Sequence, residues 1–324
     1  MSSLILLRHI SVENANAIAG LTFGFPAITH FLGFTHVLSR RLKETHGLRI
    51  DGCAVVSHEH QIHAHTSGRD YQFALTRNPL TREAKTASFN EEGRMHMTVS
   101  LLLECRGEIP NGEYGQRDLA EHLRQVCPTL RLAGGMIVDI QDISVMAMPA
   151  SGQEMGRLKW QLMPGFALRD RSNWLGEHHK TLLEHNPDAT LLDAWLDFAA
   201  LKIQAETPED SNIQEGEPAN WHVVPKPHPG YLVPLMTGYQ RISELYAPGV
   251  VANARDAETP FAFTEAVYGV GEWCGLHRIR SLEEIFWRYR TTETGYYCQG
   301  AGAPVTTEHL NYKGLIYGKG SNCR

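Results

Sequence analysis

The chain of 324 residues is 42% hydrophobic and 20% charged, which excludes a disordered or collagen-like polypeptide and leaves room for one large domain or two. Its net charge of −6 argues against bulk electrostatic binding of nucleic acid, but the balance is uneven: residues 1–106 carry 11 Lys/Arg against 9 Asp/Glu, whereas residues 205–220 carry five acids and no base. Six scattered cysteines form no C-x-x-C pair, and no apolar run approaches the length of a membrane span, so a soluble cytoplasmic protein with free thiols is expected.

Leu4 to Val12 is a short run rich in Leu, Ile and Val, with Arg8 inside it, and reads as a strand. After a loop, Pro26 stands where the first turn of a helix tolerates its missing N–H. Ile28, Phe31, Leu32, Val37, Leu38 and Leu42 follow at spacings near three and four, the stripe of an amphipathic helix. Arg40, Arg41 and Lys43 in its closing turns favour the macrodipole, and Gly47 supplies a stop.

Ile50 to His65 is a second strand, residues 66–94 a long polar loop, and Met95 to Gly107 a third strand. Tyr114 to Cys127 has Leu119, Leu123 and Val126 at helical spacing, and Met136 to Met146 is a fourth strand. The order β-α-β-β-α-β predicts an α+β, ferredoxin-like domain over residues 1–148, with an insertion at 66–94 between its second and third strands. In the second half, residues 149–324, Leu158 to Arg171 reads as a strand broken at Pro164-Gly165. Residues 172–201 read as two helices separated at Asn186-Pro187, residues 205–230, with five prolines, as a surface loop, Ser281 to Arg290 as a helix, and the tail from Gly300 as extended.

Four histidines, His58, His60, His63 and His65, crowd the end of the second strand. Strand alternation places His58 and His60 on one face and His63 and His65 on the other, so one strand cannot gather them around zinc; neither a metal nor a cofactor is expected. The sequence has no P-loop, nucleophile elbow or H-E-x-x-H motif. His9, beside Arg8, is a candidate general base for ribonuclease chemistry, although no paired acid and base accompanies it.

The insertion is more informative. From Arg69 to Lys85 it carries Arg69, Arg77, Arg82 and Lys85 against Asp70 and Glu83, with Thr76, Asn78, Thr81 and Thr86 as further donors. Such side chains supply phosphate and sugar contacts, and a loop of this length without structure of its own is commonly functional.

Several segments together resemble one family. RHISVENANAIAG and LTFGFPAITHFLGFTHVLSRR near the N-terminus, FALTRNPLTREAKTASFNEEGRMHMTVSLLL, RLAGG, LMPGFAL, and NARDAETPFAFTEAVYGVGEW are similar, in this order, to the second subunit of the Csy complex of type I-F CRISPR systems. The resemblance implies a Cas-five-like RAMP superfamily protein. Its ferredoxin-like (RRM-like) head would bear a thumb-like insertion, followed by an elaborated C-terminal half. It further implies a non-catalytic subunit of an RNA-guided surveillance complex. The expected partners are the 5′ handle of the crRNA, the large subunit, an adjacent backbone RAMP subunit, and target DNA through the assembled complex, with no membrane.

On that reading Arg77, Arg82, Lys85 and Arg94 line the RNA path, Arg8 on the sheet and Arg40 at the helix end meet handle phosphates, and Asn14, Asn16 and Asn78 reach bases or sugars. Arg255 joins the set by resemblance alone. The alternative is a RAMP-type, metal-independent endoribonuclease that processes CRISPR repeat RNA through His9 or a histidine of residues 58–65.

Overall fold

The computed structural model describes residues 2–76, 79–206, 219–254, 256–300 and 310–311. In chain order the first half comprises β1 (Ser2–Asn16), α1 (Ile28–His46), β2 (Arg49–Ile62), β3 (Ala64–Ser67), β4 (Asp70–Thr76), β5 (Asn90–Glu92), β6 (Arg94–Arg106), α2 (Glu113–Val126) and β7 (Gly135–Ala147). The four long strands pair antiparallel in the spatial order β2-β6-β1-β7.

β1 reads as a continuous apolar run because both of its faces are covered. Ile5, Leu7, Ile10 and Val12 enter the core beneath α1 and α2, while Leu4 and Leu6 enter a second core on the other face. α1 buries Ile28, Phe31, Leu32, Phe34, Thr35, Leu38 and Leu42, and Gly47, at φ 67°, donates its N–H to the Leu42 carbonyl. Phe34 belongs to the buried stripe and Val37 does not: Val37 is exposed.

The insertion is not the structureless loop that its sequence suggests. β3 pairs with β4, and β4 with β5, to form an antiparallel meander of its own. Its apolar residues show no period because they are not anchored in a core; Tyr71, Leu75 and Phe89 are exposed.

The second half adds α3 (Gly152–Leu162), β8 (Phe166–Asp170), α4 (Ser172–His185), α5 (Leu191–Ala199), β9 (Lys202–Ala205), β10 (Trp221–Val224), β11 (Tyr231–Arg241), β12 (Thr264–Gly275), β13 (Trp287–Thr291) and β14 (Gly295–Gly300). The two helices expected over residues 172–201 are α4 and α5. Three other expectations change.

The residues before Pro164 are helical, because Ser151 and Glu154 form a reciprocal capping box and Met155, Leu158 and Leu162 make a buried helical stripe. Part of the 205–230 stretch is paired strand, since Trp221–Val224 zips onto Lys202–Ala205, while residues 207–218 lie outside the described residues. Ser281 to Arg290 holds only a 3-10 turn at Leu282–Glu284 before β13 begins. Phe286 and Trp287 explain the change. They are adjacent yet fully buried in two different cores, which an extended backbone permits and a single helix face does not.

The large sheet runs β8-β12-β11-β14-β13-β2-β6-β1-β7, and β8 also pairs with β2. β2, β8, β12, β11, β14 and β13 therefore close a ring. Trp287 fastens it: the residue pairs with Cys53 of β2, and its indole N–H donates to the Leu168 carbonyl of β8 at 2.9 Å. Leu168, Leu235, Trp287 and Cys298 from the second half share the core under α1. Among the described residues, five cysteines are free and buried, and no helix is long and apolar enough to cross a membrane.

Candidate nucleic-acid interface

Asn14 and Arg94 meet where the insertion leaves the sheet. Asn14 adopts φ 54°, a left-handed conformation that asparagine tolerates better than most residues. Its N–H donates to His96 Nδ1 at 3.2 Å, and its carbonyl accepts from Arg94 Nη1 at 3.4 Å. Arg94 Nε also donates to the Glu92 carboxylate at 2.8 Å, and the Arg94 carbonyl accepts the His63 N–H. The His63 ring stands edge-on to His96 at 4.1 Å. Asn16 is committed to a turn, its side chain accepting from the Ile18 N–H and donating to the Ile18 carbonyl.

Arg82 and Lys85 project from the exposed segment between β4 and β5. Thr81 frames them: its N–H donates to the Lys85 carbonyl at 2.9 Å, and its hydroxyl accepts the Lys85 N–H. Neither cation pairs with a carboxylate among the described residues, so both charges face solvent. Arg40 stands on the outer face of α1, exposed. Arg8 is half-buried within β1, opposite Asp142, and its Nε is buried with no hydrogen-bond partner among the described residues. Arg77, Asn78 and Arg255 lie outside the described residues.

The histidine-rich strand departs from simple alternation. The β2–β6 register shifts between Ser57 and Glu59, so Ser57 lies opposite Val99 and His60 opposite Met97, both core residues under α1. His60 therefore does not share a face with His58. His58 points the other way: its Nδ1 donates to the Pro164 carbonyl at 2.7 Å, which leaves Nε2 to accept the Ser100 hydroxyl at 2.7 Å. Ser100 Oγ accepts the His9 backbone N–H, and the His9 ring stacks on His58 at 4.0 Å. Among the described residues, no group of three His, Cys, Asp or Glu side chains gathers to hold a metal.

Burial, His58 and Arg8 lower the proton affinity of His9, in that order of weight, and burial lowers that of His58. The unfolded chain takes up protons near pH ~6.5 while the folded one resists them, so this contribution is present above that pH and is lost as the pH falls through it. Between about pH 7.5 and about pH 5.5, the thermal midpoint of the wild-type protein should fall further than that of His58→Gln, whose amide keeps both hydrogen bonds without titrating. Equal falls in a melting series would remove His58 from the pH dependence.

Sequence patterns gave no hint of a cavity of about 490 Å³ bounded by Phe23, Phe25, Phe166, Tyr231 and Trp273. Its walls come from five separate chain segments, and the pairing of β8 with β2 and β12, and of β12 with β11, brings four of them together.

The chain matches the family described as CRISPR-associated protein (Cas_Csy2) over residues 5–298. It is 40% identical over 301 residues to the CRISPR-associated protein Csy2 of Pseudomonas aeruginosa (strain UCBPP-PA14), covering 88% of this chain and 90% of that one. With a match of this extent, the chain belongs to the Csy2 family of CRISPR-associated proteins, the family of the second subunit of the type I-F Csy complex.

Proposed function

We propose that this subunit is non-catalytic and holds the 5′ handle of the crRNA together with the large subunit, capping the complex's backbone of RAMP subunits for recognition of target DNA. On this reading residues 1–148 form a ferredoxin-like, RRM-like RAMP head, the β3–β5 meander is its thumb, residues 149–324 elaborate it, and the assembly works in the cytoplasm. The supporting observation is the meander itself. In a chain whose total charge is negative, it carries Arg82 and Lys85 to solvent with no ion pair to a carboxylate among the described residues, which leaves both available to phosphate. Arg94 and Asn14 sit at its base, within reach of a strand that follows the thumb back to the sheet.

Co-expression with the genomic neighbours tests the reading. The chain is expected to co-purify with a large subunit and with a CRISPR RNA that begins with the repeat-derived handle. The endoribonuclease alternative predicts instead that the purified protein cuts repeat RNA without metal and stops doing so in His9→Ala. The arrangement around His9 favours the non-catalytic reading: its backbone and ring are held by Ser100 and His58, and Glu59, the carboxylate whose charge reaches it, makes no hydrogen bond to it among the described residues.

A further inference from the structure

The cavity of about 490 Å³ lies in the range of small-ligand sites, and its composition is specific. Phe166 of β8 is 56% exposed and Tyr231 of β11 is 70% exposed, so two large rings stand at the mouth rather than in a core. Behind them Tyr231 lies directly opposite Trp273 of β12 in register, and Phe25 meets Trp273 edge-on at 4.8 Å. His60 enters from β2, on the core side of the register shift, and its ring makes no hydrogen bond among the described residues. On the rim, Phe23 touches Phe73 of β4 at 5.0 Å. The meander therefore adjoins the cavity through this ring contact.

We infer that this cavity receives an unstacked base of single-stranded RNA, sandwiched by Phe166 and Tyr231 against Trp273, while the adjoining phosphates follow the meander past Arg82 and Lys85. This deepens the RNA-binding reading and rests on it. Single-stranded RNA exposes planar faces that stack on aromatic rings and edges that a histidine can bond. An apolar protein side chain would also fill such a hollow, but it would gain nothing from Arg82 and Lys85 on the meander whose Phe73 meets the cavity at Phe23, whereas a polynucleotide gains from both features at once.

Handle RNA carrying a photoreactive thio-base at one position at a time is bound to the purified complex of this chain with its large subunit. One position is expected to crosslink to peptides containing Phe166, Tyr231 or Trp273. The double variant Phe166→Ala/Tyr231→Ala should bind handle RNA about tenfold to about a hundredfold more weakly with an unchanged salt slope, since stacking, not charge, is lost. Both side chains are more than half exposed, so the variant keeps its core, and Tyr231→Phe should retain wild-type affinity. Wild-type RNA binding with no crosslink in the cavity and no loss in the double variant overturns the inference while leaving the RNA-binding reading intact. Loss of the large subunit with RNA affinity unchanged also overturns it, because the cavity would then hold protein. No RNA binding by the wild-type complex would defeat the underlying reading first.

Discussion

Alanine at Arg82 and Lys85 is expected to weaken binding of the crRNA handle and to flatten its dependence on salt. Each phosphate contact on a single strand releases about 0.7 of a counterion, so losing both should lower the slope of log affinity against log salt by ~1.4. Both side chains are exposed and unpaired, so the double variant should melt with the wild-type protein. Arg94→Ala is a different case. Arg94 is tied to Glu92 and to the Asn14 carbonyl, and its loss disturbs the base of the meander along with any phosphate contact. An unchanged salt slope in the Arg82/Lys85 variant, measured by filter binding over a salt series, would remove the meander from the RNA path.

Trp287→Ala should be among the most destabilising single substitutions in the chain, costing about 3–5 kcal/mol. Its ring is fully buried beneath α1, where it joins residues of both halves in one core. Its N–H holds the Leu168 carbonyl of β8, and its backbone pairs with Cys53 of β2, so the substitution opens a cavity and loosens the ring at the same point. Trp287→Phe keeps most of the volume and leaves the Leu168 carbonyl without its indole donor, at a cost of about 1–3 kcal/mol. Denaturant unfolding of both variants checks the order. If alanine costs no more than phenylalanine, the packing contribution assigned to Trp287 is wrong.

The four long strands and two helices of the first half were legible because each carries a complete local signal: Pro26 and Gly47 bracket α1, and Leu119 and Leu123 mark the buried face of α2. The second half hid its elements where burial overrides local preference. Phe286 and Trp287 look helical beside Ser281 and Glu284, but tertiary packing draws them into opposite cores. The histidine stretch shows the same limit. Alternation is a sound rule for an uninterrupted strand, and the shift after Ser57 reverses it for His60. Of the candidate contacts, the charges on the meander could be read from residue type alone. Asn16 is spent on a local turn with Ile18, a use that asparagine's residue type permits but does not single out, whereas the aromatic rings from distant segments share one cavity through long-range pairing that no local pattern records.

The most direct measurement compares two crRNAs that differ only in the 5′ handle, one native and one with the handle sequence scrambled, for binding by the complex of this chain with its large subunit. Retention of the handle by this subunit predicts tight binding of the native RNA, weaker binding of the scrambled one, and a difference that narrows when Arg82 and Lys85 are alanine. Equal affinity for the two RNAs, unaffected by those substitutions, would contradict it.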